Sequence, residues 1–260
     1  MWEIKIGSGG GKMEKETDEI ISRPGEMDSR QLNEFIRNMI HRIIVHHVLW
    51  FREVQHQRGF DQAMEIMDKA WDKTWDISLR RFASMGLPVS NHMPKIIDDL
   101  PNEKKLAIID GLAKNWLAQD GVFFQEVEKL YGMNDAKRCN DSTWNYFSLV
   151  EALEIKKLLG LPEHPGLEGL EKALNFRLYG RLNVQSCRRE EGALIFEMNR
   201  CRVQHARKAK GLPDYPCKSA GLVEYGRFAE GIDDRIKTTC IACPPDQHPE
   251  EWSCAWKFTI

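Results

Sequence analysis

Several features that would classify a chain at once are missing here. No apolar run approaches the roughly 20 residues a membrane-spanning helix needs. The longest, such as Ile43-Ile44-Val45 and Val122-Phe123-Phe124, are soon interrupted by polar residues. A charged stretch followed by an apolar one, the mark of a secretory leader, is absent, so the expected address is the cytoplasm. There is no large charge of either sign: the formal net charge is −2, which supplies no electrostatic reason to expect a nucleic-acid or anionic-membrane partner. Internal repeats and an H-E-x-x-H zinc motif are also lacking.

Disulfides are not expected either. The chain has seven cysteines, and an odd number without a leader favours free thiols or metal ligands over a disulfide framework. Its 260 residues, 42% hydrophobic and 29% charged, are enough for a large core and too apolar for disorder.

The first twelve residues, MWEIKIGSGGGK, read as a strand-like piece and a Gly/Ser linker, expected to be an appended tag. The helical region is expected over residues 13–180. Apolar residues recur every three or four positions from Leu32 to Val54, with Ser29 as candidate N-cap. A second helix is predicted from Asp61 to Met85, stopped by Gly86-Leu87-Pro88. Others follow over Asn102 to Tyr131 with a break near Asp120-Gly121, Ser142 to Leu159, and Leu167 to Tyr179.

After Arg181 the period changes. RLNVQSCRREEGALIFEMNRC alternates around a Glu190-Glu191-Gly192 turn, a hairpin signal. Helical spacing returns in Arg202 to Lys210 and Ser219 to Ala229, and strands are predicted over Arg235 to Ala242 and Cys254 to Ile260. The fold class is therefore α+β: a mostly helical N-terminal two-thirds packed on a C-terminal four-stranded antiparallel sheet (residues 181–260), with helices on one face. The two regions can form one continuous domain.

Five of the seven cysteines, Cys201, Cys217, Cys240, Cys243 and Cys254, fall in the last quarter of the chain. Cys240-x-x-Cys243 can aim two sulfurs at one ion, with the other ligands to come from Cys254, Cys217, Cys201 or His248 and Cys217 and Cys254 the expected pair, so zinc or an iron–sulfur cluster is the cofactor to test. Each thiol can equally be a small buried hydrophobe. Read as a helix, Cys201 and His205 lie one turn apart, a spacing that suits a thiolate–imidazolium pair. Pro244-Pro245-Asp246-Gln247-His248-Pro249 is stiffened at both ends, which can hold Asp246 and His248 for acid–base work. His41, His46 and His47, and the pairs Trp71/Trp75 and Trp144/Phe147, are more simply surface or core.

The run Cys201 … Lys210-Gly-Leu-Pro213 … Pro216-Cys217 … Tyr225 … Arg235-Ile-x-Thr … Cys254-x-Trp-x-Phe258 resembles the L-2-amino-thiazoline-4-carboxylate hydrolase-like family. Its ending also resembles the 4-vinyl reductase type ligand-binding domain. The resemblance covers roughly residues 175 to 260 and implies a small-molecule site between helices and sheet, lined by cysteines, where water opens a C–N bond of a cyclic amidine-like or carboxylate substrate. Cys201, Cys217 and Cys254 match the family pattern; Cys243 does not belong to it. The alternative reading is a non-catalytic ligand or redox sensor holding zinc or an iron–sulfur cluster. Association with further copies of the chain is left open.

Overall fold

The computed structural model describes residues 23–209, 211 and 213–260; the expected tag at residues 1–12 lies outside them. The chain divides between Ile77 and Ser78 into two compact units.

The first unit is built from long helices. α1 (Ser29–Arg58) is capped by Asp28, whose Oδ1 accepts from the Gln31 N–H at 2.8 Å while Gln31 Oε1 accepts from the Asp28 N–H at 2.9 Å. This reciprocal pair moves the cap one residue ahead of the expected Ser29. Gly59, at φ 91, closes α1 and leads directly into α2 (Phe60–Ser84).

The second unit begins within α2. A small hairpin, β1 (Val89–Ser90) and β2 (Met93–Pro94), turns on Asn91 and His92, and a short α3 (Lys95–Asp98) follows. α4 (Asn102–Tyr131) is continuous, so the expected break at Asp120-Gly121 does not occur. A helical glycine costs about 1 kcal/mol, and packing on both sides of it outweighs that: Trp116 meets Trp144 and Tyr179, and Phe124 meets Tyr215. α5 (Met133–Leu158) starts nine residues before the expected Ser142, because the chain turns at Gly132, φ 88. α6 (Gly166–Leu174) ends before the expected Tyr179; Leu178–Arg181 is a 3-10 turn. The reason is Glu151, which accepts from Arg177 Nε and from the Leu178 N–H, both at 2.8 Å, and draws the chain off the helix.

The hairpin then appears as expected: β3 (Val184–Glu190) and β4 (Ala193–Arg200) are joined at Glu191-Gly192. α7 (Arg202–Lys208), α8 (Lys218–Ile232), β5 (Lys237–Ala242) and β6 (Cys254–Thr259) complete an α+β unit whose antiparallel sheet has the order β3-β4-β6-β5. None of the described helices is long and apolar enough to cross a membrane.

The core lies between the inner face of this sheet and α5, α6 and α8. Alternate residues Leu194, Phe196 and Met198 of β4 and Cys254, Trp256 and Phe258 of β6 meet Tyr225, Phe228, Ala229 and Ile232 of α8. Each fully buried large side chain contributes roughly 1.5–3 kcal/mol. α5 and α8 cross closely because Gly231 has no Cβ: one built there would lie 2.7 Å from Ala152 Cβ. Both ends of that contact are rigid, so Gly231→Ala should lower stability by about 1–3 kcal/mol. Adding Ala152→Gly should recover part of the loss in a urea titration; no recovery would show that the two carbons do not limit the approach.

Candidate functional site

The strand ends gather the thiols. Cys201 follows the last residue of β4, Cys243 follows β5, Cys254 opens β6, and Cys217 is the N-cap of α8. One transverse row of the inner face runs Cys187, Phe196, Trp256, Cys240 across the four strands. Cys240 therefore sits one row back from the others. The register shifts between Cys240 and Ala242, a bulge that separates the two ends of the C-x-x-C pair.

Cys217 and Cys243 form the closest contact, Sγ to Sγ 3.5 Å. Cys217 also accepts from Gln204 Nε2 at 3.5 Å. The hydrogen bond shared with Cys243, and after it the one from Gln204, hold the Cys217 thiol below the ordinary value against the effect of its burial. Cys243 is correspondingly raised, by its bonds to Cys217 and Cys254 and then by burial. Burial pushes Cys201 and Cys187 each up to about 12 and raises Cys240 as well. Among Cys187, Cys201, Cys217, Cys240 and Cys243, Cys217 is thus the thiol whose ionisation its surroundings favour.

Its position is fixed from several sides. Gln204, buried on α7, donates to the Tyr215 carbonyl and accepts from the Tyr215 N–H, both at 2.8 Å. Lys137 of α5 donates to the Pro216 carbonyl at 2.7 Å and lies 4.9 Å from the Tyr215 ring centre. The Lys218 N–H reaches the Pro244 carbonyl at 2.9 Å, and Lys218 Nζ pairs with Asp246 at 2.7 Å. Gly221 leaves room for Trp256: a Cβ there would meet its ring at 2.7 Å and Cys243 Sγ at 3.6 Å.

Above the thiols stand polar groups without partners. Asp120 of α4 has no hydrogen bond or ion pair among the described residues, and desolvation raises its carboxyl. Its charge, with that of Asp141 and Cys217, acts on Tyr215, whose phenol is raised chiefly by burial. The Tyr215 hydroxyl, one Asp141 oxygen and the Trp256 Nε1 are buried without a hydrogen-bond partner. Beside them Arg177 is buried between Glu151 and Glu224, 2.8 Å from each. Glu224 is nonetheless raised, since burial outweighs the guanidinium.

Of the expected catalytic set, Cys201 lies with the thiols and His205 does not. His205 is exposed and contacts Arg200 at 3.0 Å, although its N–H does bond the Cys201 carbonyl one turn back. Asp246 is bound by Lys218, which lowers its carboxyl, and caps the turn after Cys243. His248 stacks on Trp252 and lies 3.5 Å from Asp214. Of the expected metal ligands, Cys217, Cys243 and Cys254 are brought together and Cys240 is set apart. They do not converge on one point. Among the described residues the group of potential ligands whose atoms all fall within 4.8 Å is His164, Asp233 and Asp234, where Asp233 is already bound by Arg235 and the Gly166 N–H. A cleft of about 410 Å³ lies along the exposed side of α8, between Leu222, Gly226, Glu230 and Thr238, and holds no thiol. Gln204, Tyr215, Asp120 and Lys218 had no motif to mark them.

A protein family described as "Family of unknown function (DUF6125)" matches residues 97–260, which include α4 and every thiol. No curated protein and no solved structure is matched by the chain.

Because Cys201 is protonated in the fold and ionises near 8.5 when unfolded, its contribution is complete below that pH and is lost as pH rises toward about 12. Stability should fall by up to about 1.4 kcal/mol per pH unit above about 8.5 on its account. Chemical denaturation from pH 7 to 10 should show a shallower decline for Cys201→Ala; an unchanged slope would rule the buried thiol out as the cause.

Proposed function

The chain belongs to that family, and we propose that it is a cytoplasmic hydrolase-like enzyme that opens a C–N bond in a small cyclic amidine-like substrate, with Cys217 as nucleophile. The observation that carries this is the Cys217 sulfur, 3.5 Å from that of Cys243 and lowered by its hydrogen bonds to Cys243 and Gln204. The unpartnered acceptors Asp120, Asp141 and Tyr215 suit a ligand rich in N–H groups, which an amidine supplies.

The chemistry balances within the two thiols. Cys217 Sγ bonds to the amidine carbon, and the C=N electron pair moves to nitrogen, which takes the Cys243 proton. The C–N bond then breaks to give an amine and a thioimidate. Water cleaves the thioimidate to an amide, restoring the Cys217 thiolate and returning a proton to Cys243. Desolvation raises the Asp120 carboxyl, and in this reading it serves the leaving nitrogen as acid. The similarity of the C-terminal segment to the thiazoline-carboxylate hydrolase-like family supports the same bond type. Of the other expected catalytic residues, Cys201 packs against the core, while His205 is exposed, Asp246 is bound by Lys218 and His248 stacks on Trp252.

A second reading has its own support: Cys243 lies against both Cys217 and Cys254, so three thiols could hold zinc or an iron–sulfur cluster in a sensor. Non-convergence of their sulfurs makes it the weaker one.

Below pH of about 8.5, a free thiol's ordinary value, iodoacetamide should modify Cys217 faster than the exposed Cys139, as read by peptide mass mapping. Cys217→Ser should lower amidine hydrolysis at least about a hundredfold while leaving the fold intact. Equal labelling of the two thiols would sink the nucleophile. Stoichiometric zinc or iron that disappears in Cys243→Ser would establish the sensor reading instead.

A further inference from the structure

Two of the gathered sulfurs are held beside each other by bonds that do not involve sulfur. Cys217 stands at the N-terminus of α8 and Cys243 directly after β5. The main chains next to them are joined, because the Lys218 N–H donates to the Pro244 carbonyl at 2.9 Å. Lys218 Nζ pairs with Asp246 at 2.7 Å, and the Asp246 N–H donates to the Cys243 carbonyl at 2.9 Å. With both backbones anchored, the 3.5 Å between Cys217 Sγ and Cys243 Sγ has to shorten only to the roughly 2 Å of a disulfide, a change that side-chain rotation and small local shifts supply. Exposure orders the pair. Cys217 is partly exposed, whereas Cys243 is 1% exposed and Cys254, which also lies against Cys243, 8%. A dissolved oxidant therefore meets Cys217 first and finds Cys243 behind it. Cys187 and Cys240, by contrast, are the two ends of a row with Phe196 and Trp256 between them.

We propose that Cys217 and Cys243 are a redox pair that a hydroperoxide closes into a disulfide, a reversible switch that silences the candidate site. The loss of activity rests on Cys217 being the nucleophile, as proposed above; formation of the bond does not. Cys217, having given its proton to water, attacks a peroxide oxygen through sulfur. The S–O bond forms and the O–O bond breaks, which leaves a sulfenic acid on Cys217 and a hydroxide that takes up a proton. The Cys243 sulfur then bonds to that of Cys217, the S–O bond breaks, and the hydroxyl leaves as water with the Cys243 proton. In sum two thiols lose two electrons, one hydrogen peroxide gains them, and two waters are released. A small dithiol reverses the step by exchange. Capture by Cys243 also keeps Cys217 from the sulfinic acid, which thiols do not reduce.

Trypsin separates the partners: Cys217 falls in peptide 211–218, and Cys240, Cys243 and Cys254 fall together in peptide 238–257. The reduced full chain, treated with a small excess of hydrogen peroxide and then alkylated, should give a non-reducing gel band of single-chain mass that yields these two peptides joined. Fragmentation should place the bond at Cys243 and alkyl groups on Cys240 and Cys254. Dithiothreitol should separate the peptides and restore labelling of Cys217 by iodoacetamide. Cys254→Ser should still form the link, while Cys243→Ser should leave a sulfenic acid on Cys217 that dimedone traps. Amidine hydrolysis should fall at least about tenfold on closure and return with dithiothreitol. A bond confined to peptide 238–257, or a wild-type Cys217 that goes to sulfinic acid unlinked, would overturn the proposal, as would Cys217-dependent hydrolysis that persists in the linked chain. A reversible link in a chain whose Cys217→Ser variant still hydrolyses amidines would uphold the redox pair and refute the nucleophile, so the two claims fail separately.

Discussion

Arg177 is the interaction on which the second unit turns. A buried guanidinium has to be matched by charge and hydrogen bonds or it is strongly destabilising. Here Glu151 of α5 and Glu224 of α8 flank it, and the rings of Tyr225 and Phe228 lie 5.4 and 4.6 Å from its carbon. Matching that charge sets three things together: the end of α6, the separation of α5 from α8, and the rotation of α8 about its axis. Fixing that rotation places Gly221 over Trp256 and brings the α8 N-terminus, with Cys217, to the strand ends.

The chemistry of the candidate site follows from that placement. Cys201, Cys243 and Cys254 share one level because β4, β5 and β6 end or begin at the same end of the sheet, and the α8 N-terminus brings Cys217 beside Cys243. Cys217 differs from them in its surroundings. It accepts from Gln204 and shares a hydrogen bond with Cys243, whereas Cys201 is shifted chiefly by desolvation. Identical side chains of one group are thus shifted in opposite directions, by hydrogen bonding in one and burial in the other. Asp120 adds an unmatched carboxyl, an unusual feature beside a core in which the other buried charges are paired.

The two units use apolar residues differently. In the second, alternate positions on β4 and β6 meet helices and disappear from solvent. In the first, α1 turns isoleucines and a tryptophan outward along its length. The same residue types thus fill a core in one unit and face outward in the other.

The elements of the sheet half were readable in the chain because they rest on local rules. Alternation marked β3 and β4, Gly192 marked their turn, and three- and four-residue spacing marked α1, α2 and α8. Boundaries were misplaced where a distant group intervened. Packing of Trp116 and Phe124 carried α4 through Gly121, and Glu151 ended α6 from 26 residues away in sequence. Clustering of cysteines was visible as composition, yet Cys240-x-x-Cys243 looked like a unit and the β5 bulge divided it. The sequence by itself determined the order of helices and strands and the supply of thiols, since periodicity and composition are local properties. Which thiol is lowered and which are raised, and which carboxyl is left without a partner among the described residues, only the tertiary structure decided, because these shifts depend on burial and on donors such as Gln204 that folding brings from elsewhere in the chain.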